Sequence, residues 1–411
     1  MINFFNSITL PIPPIRLDVQ VIPIEQQGES FLYFYDSLGY ITPDFALPSS
    51  VEHILSLING NHSVTDLLAF SDEEIDKDQI LGYIQFLDKN RLLDSEYFAS
   101  FADELEHLYE QSNFHQNTTA GISYPKGPGE LKKYLDDAFE EHEQSTPVSK
   151  AKGLYAPHID PRVGLSSYVK AFSAIKKLKP KRVVILATSH YAGLYSKLYD
   201  EAPFIVSDKT FIMPNGEVSS DKPSIDVILN SFQDLSLAGI SNQSRAHRIE
   251  HSIELHLLFL NHIWLHEFEI VPILVGGLDE LLYSKNSFKE QQLDGFSSRI
   301  QELDNEETFF LISGDLSHFG HKFGDQKEAS KMFDEVKLND KRFMDIGASG
   351  NPDKLVALMK EEYDPYRICG FPPLLTFLKI FPNLKGEIQS YDLWDERELE
   401  SAVTFGSILY R

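Results

Sequence analysis

Four short, apolar, β-branched runs constrain this chain more than any other feature: residues 153–158 (GLYAPH), 182–190 (RVVILATSH), 268–277 (FEIVPILVGG) and 308–318 (TFFLISGDLSH). Strands this apolar cannot present one face to water, and helix-period segments separate them. The pattern therefore predicts an α/β domain with a mainly parallel central sheet and helices on both faces. Residues 386–394 (GEIQSYDLW) and 401–410 (SAVTFGSILY) read as two further strands, the last buried or paired.

A chain of 411 residues has room for a second, smaller unit. Residues 31–40 (FLYFYDSLGY) suggest two short aromatic strands around a turn at Ser37 and Gly39. Three helices are expected at 49–60, 63–70 and 78–94, the second opened by a Ser cap and the third keeping its period through Leu81, Ile84 and Leu87. The predicted division is a winged-helix α+β domain at 1–98, an acidic helical linker at 99–117 and the α/β domain at 118–411. The Glu and Asp blocks of 101–111 and 127–144 read as solvated helix faces.

With 37 Lys and Arg against 62 Asp and Glu, the formal charge of −25 repels phosphate backbones and anionic lipid. No nucleic-acid partner and no membrane association are expected. No stretch offers the roughly 20 apolar residues of a spanning helix, and prolines interrupt the N-terminal apolar run, so a cytoplasmic protein is expected. The single cysteine, Cys369, excludes an intrachain disulfide.

His158 and His190 close two of the strands, and His318 follows a third through a Gly-Asp-Leu-Ser turn. Ligands of open parallel sheets bind beyond the carboxyl ends of the strands, so histidines far apart in sequence can converge there. One such histidine would read as a hydrogen-bonded packing residue; repetition at the same structural place favours a site. Cys369 is expected at a turn made by Gly370 and Pro372-Pro373, ahead of a helix starting at Leu374, whose amide dipoles would favour a thiolate. Two imidazoles and a thiolate with open coordination positions suit iron, copper or zinc rather than magnesium or calcium. Asp315 and His318 share one turn, so Asp315 is expected either to orient His318 or touch a metal-bound water, or simply to cap the turn; His318 is the general acid/base candidate. Residues 248–260 (RIEHSIELHLLFL) predict a helix with Glu250, His251 and Glu254 on one side, facing the site or forming surface ion pairs.

Two resemblances follow from these motifs. Ile58-Asn59-Gly60, Ser63-Val64-Thr65-Asp66-Leu67-Leu68 and Asn90-Arg91-Leu92-Leu93 resemble the PqqD-type fold over residues 20–98, which implies a peptide added to a sheet edge; a winged-helix packing or dimerisation module is the alternative. From about 118 onward, Ala120-Gly121-Ile122-Ser123-Tyr124-Pro125, Ala156-Pro157-His158, Thr188-Ser189-His190, Glu250-His251-Ser252-Ile253-Glu254, Ser313-Gly314-Asp315-Leu316-Ser317-His318 and Ile368-Cys369-Gly370 resemble the Memo family, also called AmmeMemoRadiSam system protein B. That resemblance implies a fold similar to class III extradiol dioxygenases. His158, His190 and Cys369 would be the ligands of a non-haem metal, iron first and copper or zinc as alternatives, with His318 as acid/base. The family name implies radical-SAM and AMMECR1-like partners. Where many Memo proteins have Ala-Gly-Tyr after the first histidine, this chain has Ile159-Asp160-Pro161-Arg162, which sets Asp160 and Arg162 where a substrate contact would differ. Three functions are thus expected in order: redox or dioxygenase-like chemistry on a small molecule or peptide; a non-catalytic metal-binding scaffold; and a zinc hydrolase in which Asp315 or Glu254 positions water.

Overall fold

In the computed structural model of the chain, the described residues are 3–411 except 44, 71–74, 144, 196–197, 200–201 and 285–286. They form two compact units, Met1–Gln111 and Ser112–Arg411.

In the first unit, β1 (Val19–Gln26) and β2 (Glu29–Asp36) form an antiparallel hairpin, and β3 (Ala46–Pro48) adds to the other side of β2. Residues 31–36 are therefore one strand rather than the first of two, and its hairpin partner precedes it. The bend expected at Ser37 and Gly39 is present, but the strand expected after it does not form at Tyr40 or Ile41. The Asp36 carboxylate accepts the amides of Leu38, Tyr40 and Ile41 at 2.9, 2.7 and 2.8 Å, which curls the chain back on itself. Helices α1 (Glu52–Leu57), α2 (Val64–Phe70), α3 (Lys77–Lys89) and α4 (Glu96–Gln111) follow. Asp76 and Gln79 close a capping box at the start of α3, and Ile84, Leu87 and Val64 are fully buried with Ile12 and Phe34 in the unit's core. Helix α4 begins within the expected first domain, takes up residues 99–111 of the expected linker and belongs to this unit; the second unit starts at Ser112.

The second unit begins with β4 (Phe114–Gln116) and α5 (Pro128–His142), then alternates β5 (Gly153–Ala156), α6 (Pro161–Ile175) and β6 (Arg182–Thr188). Strands β7 (Phe204–Val206), β8 (Thr210–Met213) and β9 (Gly216–Val218) precede α7 (Lys222–Asn230), β10 (Ile240–Ser241), α8 (Glu254–Ile263) and β11 (Glu269–Val275). Helices α9 (Glu280–Tyr283) and α10 (Phe288–Gln301) lead to β12 (Thr308–Ser313) and β13 (His318–Gly320). Helices α11 (Phe333–Ala348), α12 (Pro352–Glu362) and α13 (Phe371–Ile380) are followed by the closing hairpin of β14 (Gly386–Glu396) and β15 (Ser401–Tyr410).

The main sheet has the order β10-β7-β11-β6-β12-β5-β15-β13, with β14 also paired to β15, while β4, β8 and β9 form a separate small sheet. Its centre, β11-β6-β12-β5, is parallel throughout. Both margins turn antiparallel, through β7 on one side and β15 on the other. Val184, Leu186, Phe310 and Ile312 pack with Leu374 and Phe377 of α13 and Phe296 of α10 on one face. The intervening Val183, Ile185, Phe309 and Leu311 are equally buried, with α6 packed on β5 and β15 and Trp264, just after α8, edge-on to Phe309. This double burial is the reason the strand runs are apolar without alternation. Because the four central strands run the same way, the residues after β5, β6 and β12 emerge together at one end of the sheet.

Candidate metal centre

At that end three ring nitrogens, one each from His158, His190 and His251, lie within 4.8 Å of one another, and so do donor atoms of His158, Asp315 and Cys369. The two groups share His158. The Cys369 Sγ is 3.3 Å from His158 Nε2, and the His190 ring is stacked on His251 at 4.9 Å and edge-on to His158 at 4.8 Å.

The orientation of each imidazole follows from what holds its outer nitrogen. The Ser313 hydroxyl donates to the Ser252 carbonyl at 2.6 Å, so its oxygen is left to accept from His158 Nδ1, 2.9 Å away. The proton of a neutral His158 therefore sits on Nδ1, and the Nε2 lone pair faces Cys369. Burial, reinforced by four neighbouring histidines, holds the His158 pKa well below the ordinary value, which keeps it neutral. His190 Nδ1 binds the Glu250 carboxylate at 2.9 Å, and its backbone N–H donates to the same carboxylate at 2.8 Å. Glu250 also accepts the Ser252 amide at 3.0 Å. Burial lowers the His190 pKa, but Glu250 and the Cys369 sulfur outweigh it and hold it well above normal; burial raises Glu250, and His190 outweighs that to bring it to about 2. Without a metal, His190 and Glu250 are thus an ion pair. The His190 side chain remains 26% exposed, so the site opens to solvent there.

Asp315 meets His158 rather than His318. Its Oδ1 accepts the amides of His158 and Ile159 at 3.0 and 3.1 Å, its own amide donates to Cys369 Sγ at 3.3 Å, and its carbonyl accepts the Gly370 amide. Burial raises its carboxyl to about 7. Two glycines permit this approach: a Cβ on Gly314 would overlap the Gly370 Cα, and one on Gly370 would overlap the Tyr155 hydroxyl. Helix α13 starts at Phe371, three residues earlier than expected, because Pro372 and Pro373 occupy its first turn, where no amide is needed. Burial outweighs any benefit from that helix end and raises the Cys369 pKa, so a thiol rather than a thiolate is the metal-free form.

His318 contributes to neither donor group. Its Nδ1 lies 3.1 Å from the carbonyls of both Leu316 and Arg367, which leaves Nε2 as an acceptor, and burial lowers its pKa to about 4. Arg367, unnoticed in the sequence, returns the contact by donating from Nε to the His318 carbonyl at 3.0 Å. It adopts φ 54°, as do its neighbours Tyr363 (58°) and Asp364 (53°) closely. Asp364 pins this turn through the Ile368 amide.

The helix expected over 248–260 begins only at Glu254, and Glu250 and His251 lie in the turn before it. Glu250 is buried, not a surface ion-pair partner. Glu254 points elsewhere: its oxygens accept from the amides and hydroxyls of Thr118 and Thr119 and from the Tyr124 hydroxyl, so it clamps the segment that opens the domain. Asp160 caps α6, accepts from Ser123 at 2.9 Å and pairs with the largely exposed Arg162. Among the described residues no hydrogen bond joins either to the donor atoms, although the Asp160 charge acts on His251. Glu250 and His251 are expected from the sequence either to face the site or to form surface ion pairs; that the His251 ring stacks on His190 and stands edge-on to His158 is not readable from the motif.

The donor set fits a borderline or soft metal. Imidazole nitrogen and sulfur favour iron, copper or zinc over magnesium or calcium, and the outer nitrogens of His158 and His190 are already fixed by hydrogen bonds.

Comparison with known proteins agrees in extent. The family model described as Memo-like protein matches residues 115–409. A MEMO1 family protein of Aquifex aeolicus is 27% identical over 401 residues, which cover 95% of this chain and 99% of that protein, so the likeness runs through both units. A MEMO1 family protein of Thermus thermophilus is 26% identical over 293 residues, 71% of this chain and 80% of its own length. One of Methanocaldococcus jannaschii is 25% identical over 282 residues, 65% and 87%. Among the described residues no helix is long and apolar enough to cross a membrane.

Proposed function

Because this chain belongs to the Memo-like protein family, we propose that its second unit is a non-haem metal protein, with ferrous iron held by His158, His190 and Cys369, and that it carries out redox chemistry of the dioxygenase-like class on a small molecule or peptide. The observation that carries this reading is the convergence on His158: its free Nε2 meets the sulfur of Cys369 on one side and the rings of His190 and His251 on the other. Iron, when bound, supplies one-electron exchange with oxygen or substrate. The chain's own residues do the rest. Ser313 and Glu250 fix the imidazoles, Asp315 holds the His158 loop against Cys369, and His318, kept neutral by burial, presents an Nε2 lone pair as a proton acceptor during a transfer. A relation in fold to class III extradiol dioxygenases is part of this proposal, supported by the parallel centre of the sheet and the strand-end position of the histidines. Zinc hydrolysis through Glu254 is disfavoured, because both oxygens of that carboxylate are engaged by Thr118 and Thr119. Anaerobic titration of the full chain with ferrous iron is the test. Binding should be lost in His158→Ala and weakened in Cys369→Ser; wild-type binding in both would overturn the assignment.

A second reading rests on β1. It ends the small sheet with one side unpaired among the described residues and exposes Val21 and Ile22, 43% and 39% accessible, as a PqqD-like peptide-binding edge would. In that reading the first unit captures a peptide or partner enzyme. Recovery of a partner by the full chain should then be lost in Val21→Lys/Ile22→Lys, and unchanged recovery counts against it.

A further inference from the structure

At the opposite end of the main sheet, where β6 and β12 begin, lies a cavity of about 620 Å³. Strand β6 spans Arg182–Thr188, so at about 3.3 Å per residue the cavity is roughly 20 Å from the histidines. Its rim carries Lys150, Lys152, Lys177, Lys179 and Arg411, against one carboxylate, Glu306. This concentration of cations stands out in a chain whose net charge is −25. Lys152 is neutralised by Asp304 at 2.5 Å and Arg411 by Glu387 at 3.0 Å. Among the described residues, Lys150, Lys177 and Lys179 have no ionic partner.

The walls are held by the fold. The Lys152 amide donates to the Tyr410 carbonyl at 2.8 Å, the Phe310 amide donates to the Lys152 carbonyl at 3.0 Å, and the Lys181 amide donates to the Glu307 carbonyl at 2.9 Å. The floor is apolar, with buried Leu178, Pro180 and Phe309. Like charges gathered over a low-dielectric floor repel one another and focus a positive potential, and both effects favour an anion in the cleft. Several ammonium point charges around one cleft suit a multiply charged anion such as phosphate better than a single carboxylate, and the one arginine among the described lining residues is already paired. The volume lies within the usual range for small-molecule sites.

We infer that this cleft binds a phosphate-bearing small molecule, its phosphates between Lys150, Lys177 and Lys179 and its uncharged part over Pro180 and Phe309. This site does not depend on the metal centre, and the His158→Ala chain should bind as the wild type does. Calorimetric titration of the full chain with ADP and with pyrophosphate, in metal-free buffer at low salt, is the test, with adenosine as the uncharged control. Saturable binding of both anions is expected, weakening as salt is added, with none for adenosine. Lys177→Ala/Lys179→Ala removes two exposed side chains without disturbing packing and should weaken ADP binding by roughly tenfold per lysine. Absence of binding by both anions, or affinity unchanged in the double variant, overturns the inference.

Discussion

Replacing Glu250 by Gln tests the claim that this carboxylate sets the chemistry of His190. Glu250 accepts three hydrogen bonds, from the His190 amide, His190 Nδ1 and the Ser252 amide. Glutamine offers one oxygen and one NH2 in the same space. With its oxygen toward Nδ1 and Ser252, the NH2 opposes the His190 amide, donor against donor. Turned round, the NH2 faces Nδ1 and forces the imidazole proton onto Nε2, the nitrogen that would bind the metal. Either arrangement loses a charge-assisted bond and opposes two donors, which costs about 2 kcal/mol. That corresponds to roughly 30-fold weaker metal binding. The assay is competition for zinc or ferrous iron between the full chain and a chromophoric chelator at fixed pH, with circular dichroism to confirm folding. Glu254→Gln is the control, since it alters an equally buried carboxylate that holds Thr118 and Thr119, and it should change metal affinity by less than about threefold. Wild-type metal binding by folded Glu250→Gln, or an equal loss in Glu254→Gln, would refute this role of Glu250.

Further outcomes follow from the same contacts. Metal binding near neutral pH should release roughly two protons, one from the His190 imidazolium and one from the Cys369 thiol, since both pKa values are held up in the metal-free chain; calorimetry in buffers of different ionisation enthalpy reads this number, and no release would contradict both assignments. Gly370→Ala should cost about 1–3 kcal/mol in urea unfolding, because its Cβ meets the Tyr155 hydroxyl and the Asp315 carbonyl. Part of that loss should return in Tyr155→Phe/Gly370→Ala, and strict additivity would refute the stated clash. His256 is fully buried, neither ring nitrogen has a hydrogen-bond partner among the described residues, and burial brings its pKa from 6.5 to about 3. The unfolded chain binds this proton first, so the stability it confers is complete above pH 6.5 and is lost as pH falls toward 3. About 2 kcal/mol should be gone at pH 5. Urea midpoints at pH 7 and pH 5 should differ less in His256→Phe than in the wild type, and equal differences would rule the mechanism out.

Much of the second unit was legible because its signals are local. The runs at 153–156, 182–188, 269–275 and 308–313 are strands, as their apolar content required, and 401–410 is a paired, buried strand. The errors also have local causes that a propensity reading does not weigh. Asp36 gathers three amides and curls 37–41 into a turn, and two prolines that look like helix breakers open α13. Over 248–260 the helical period was real from Glu254 onward, but the Glu250 carboxylate takes the Ser252 amide and keeps 250–253 out of the helix.

By itself the sequence determined the kind of site: histidines placed after apolar strands, one cysteine before a helix, and a motif order shared with the Memo-like family. Which atoms meet was decided by the tertiary structure alone. His158 finds its tautomer from Ser313, 155 residues away, and its sulfur neighbour 211 residues away. Asp315 is three positions from His318 in the chain yet holds His158, and His251 joins the rings because the turn before α8 delivers it there. Periodicity and propensity describe neighbours along the chain, whereas the direction of a side chain at a strand end depends on partners that only the parallel sheet brings together.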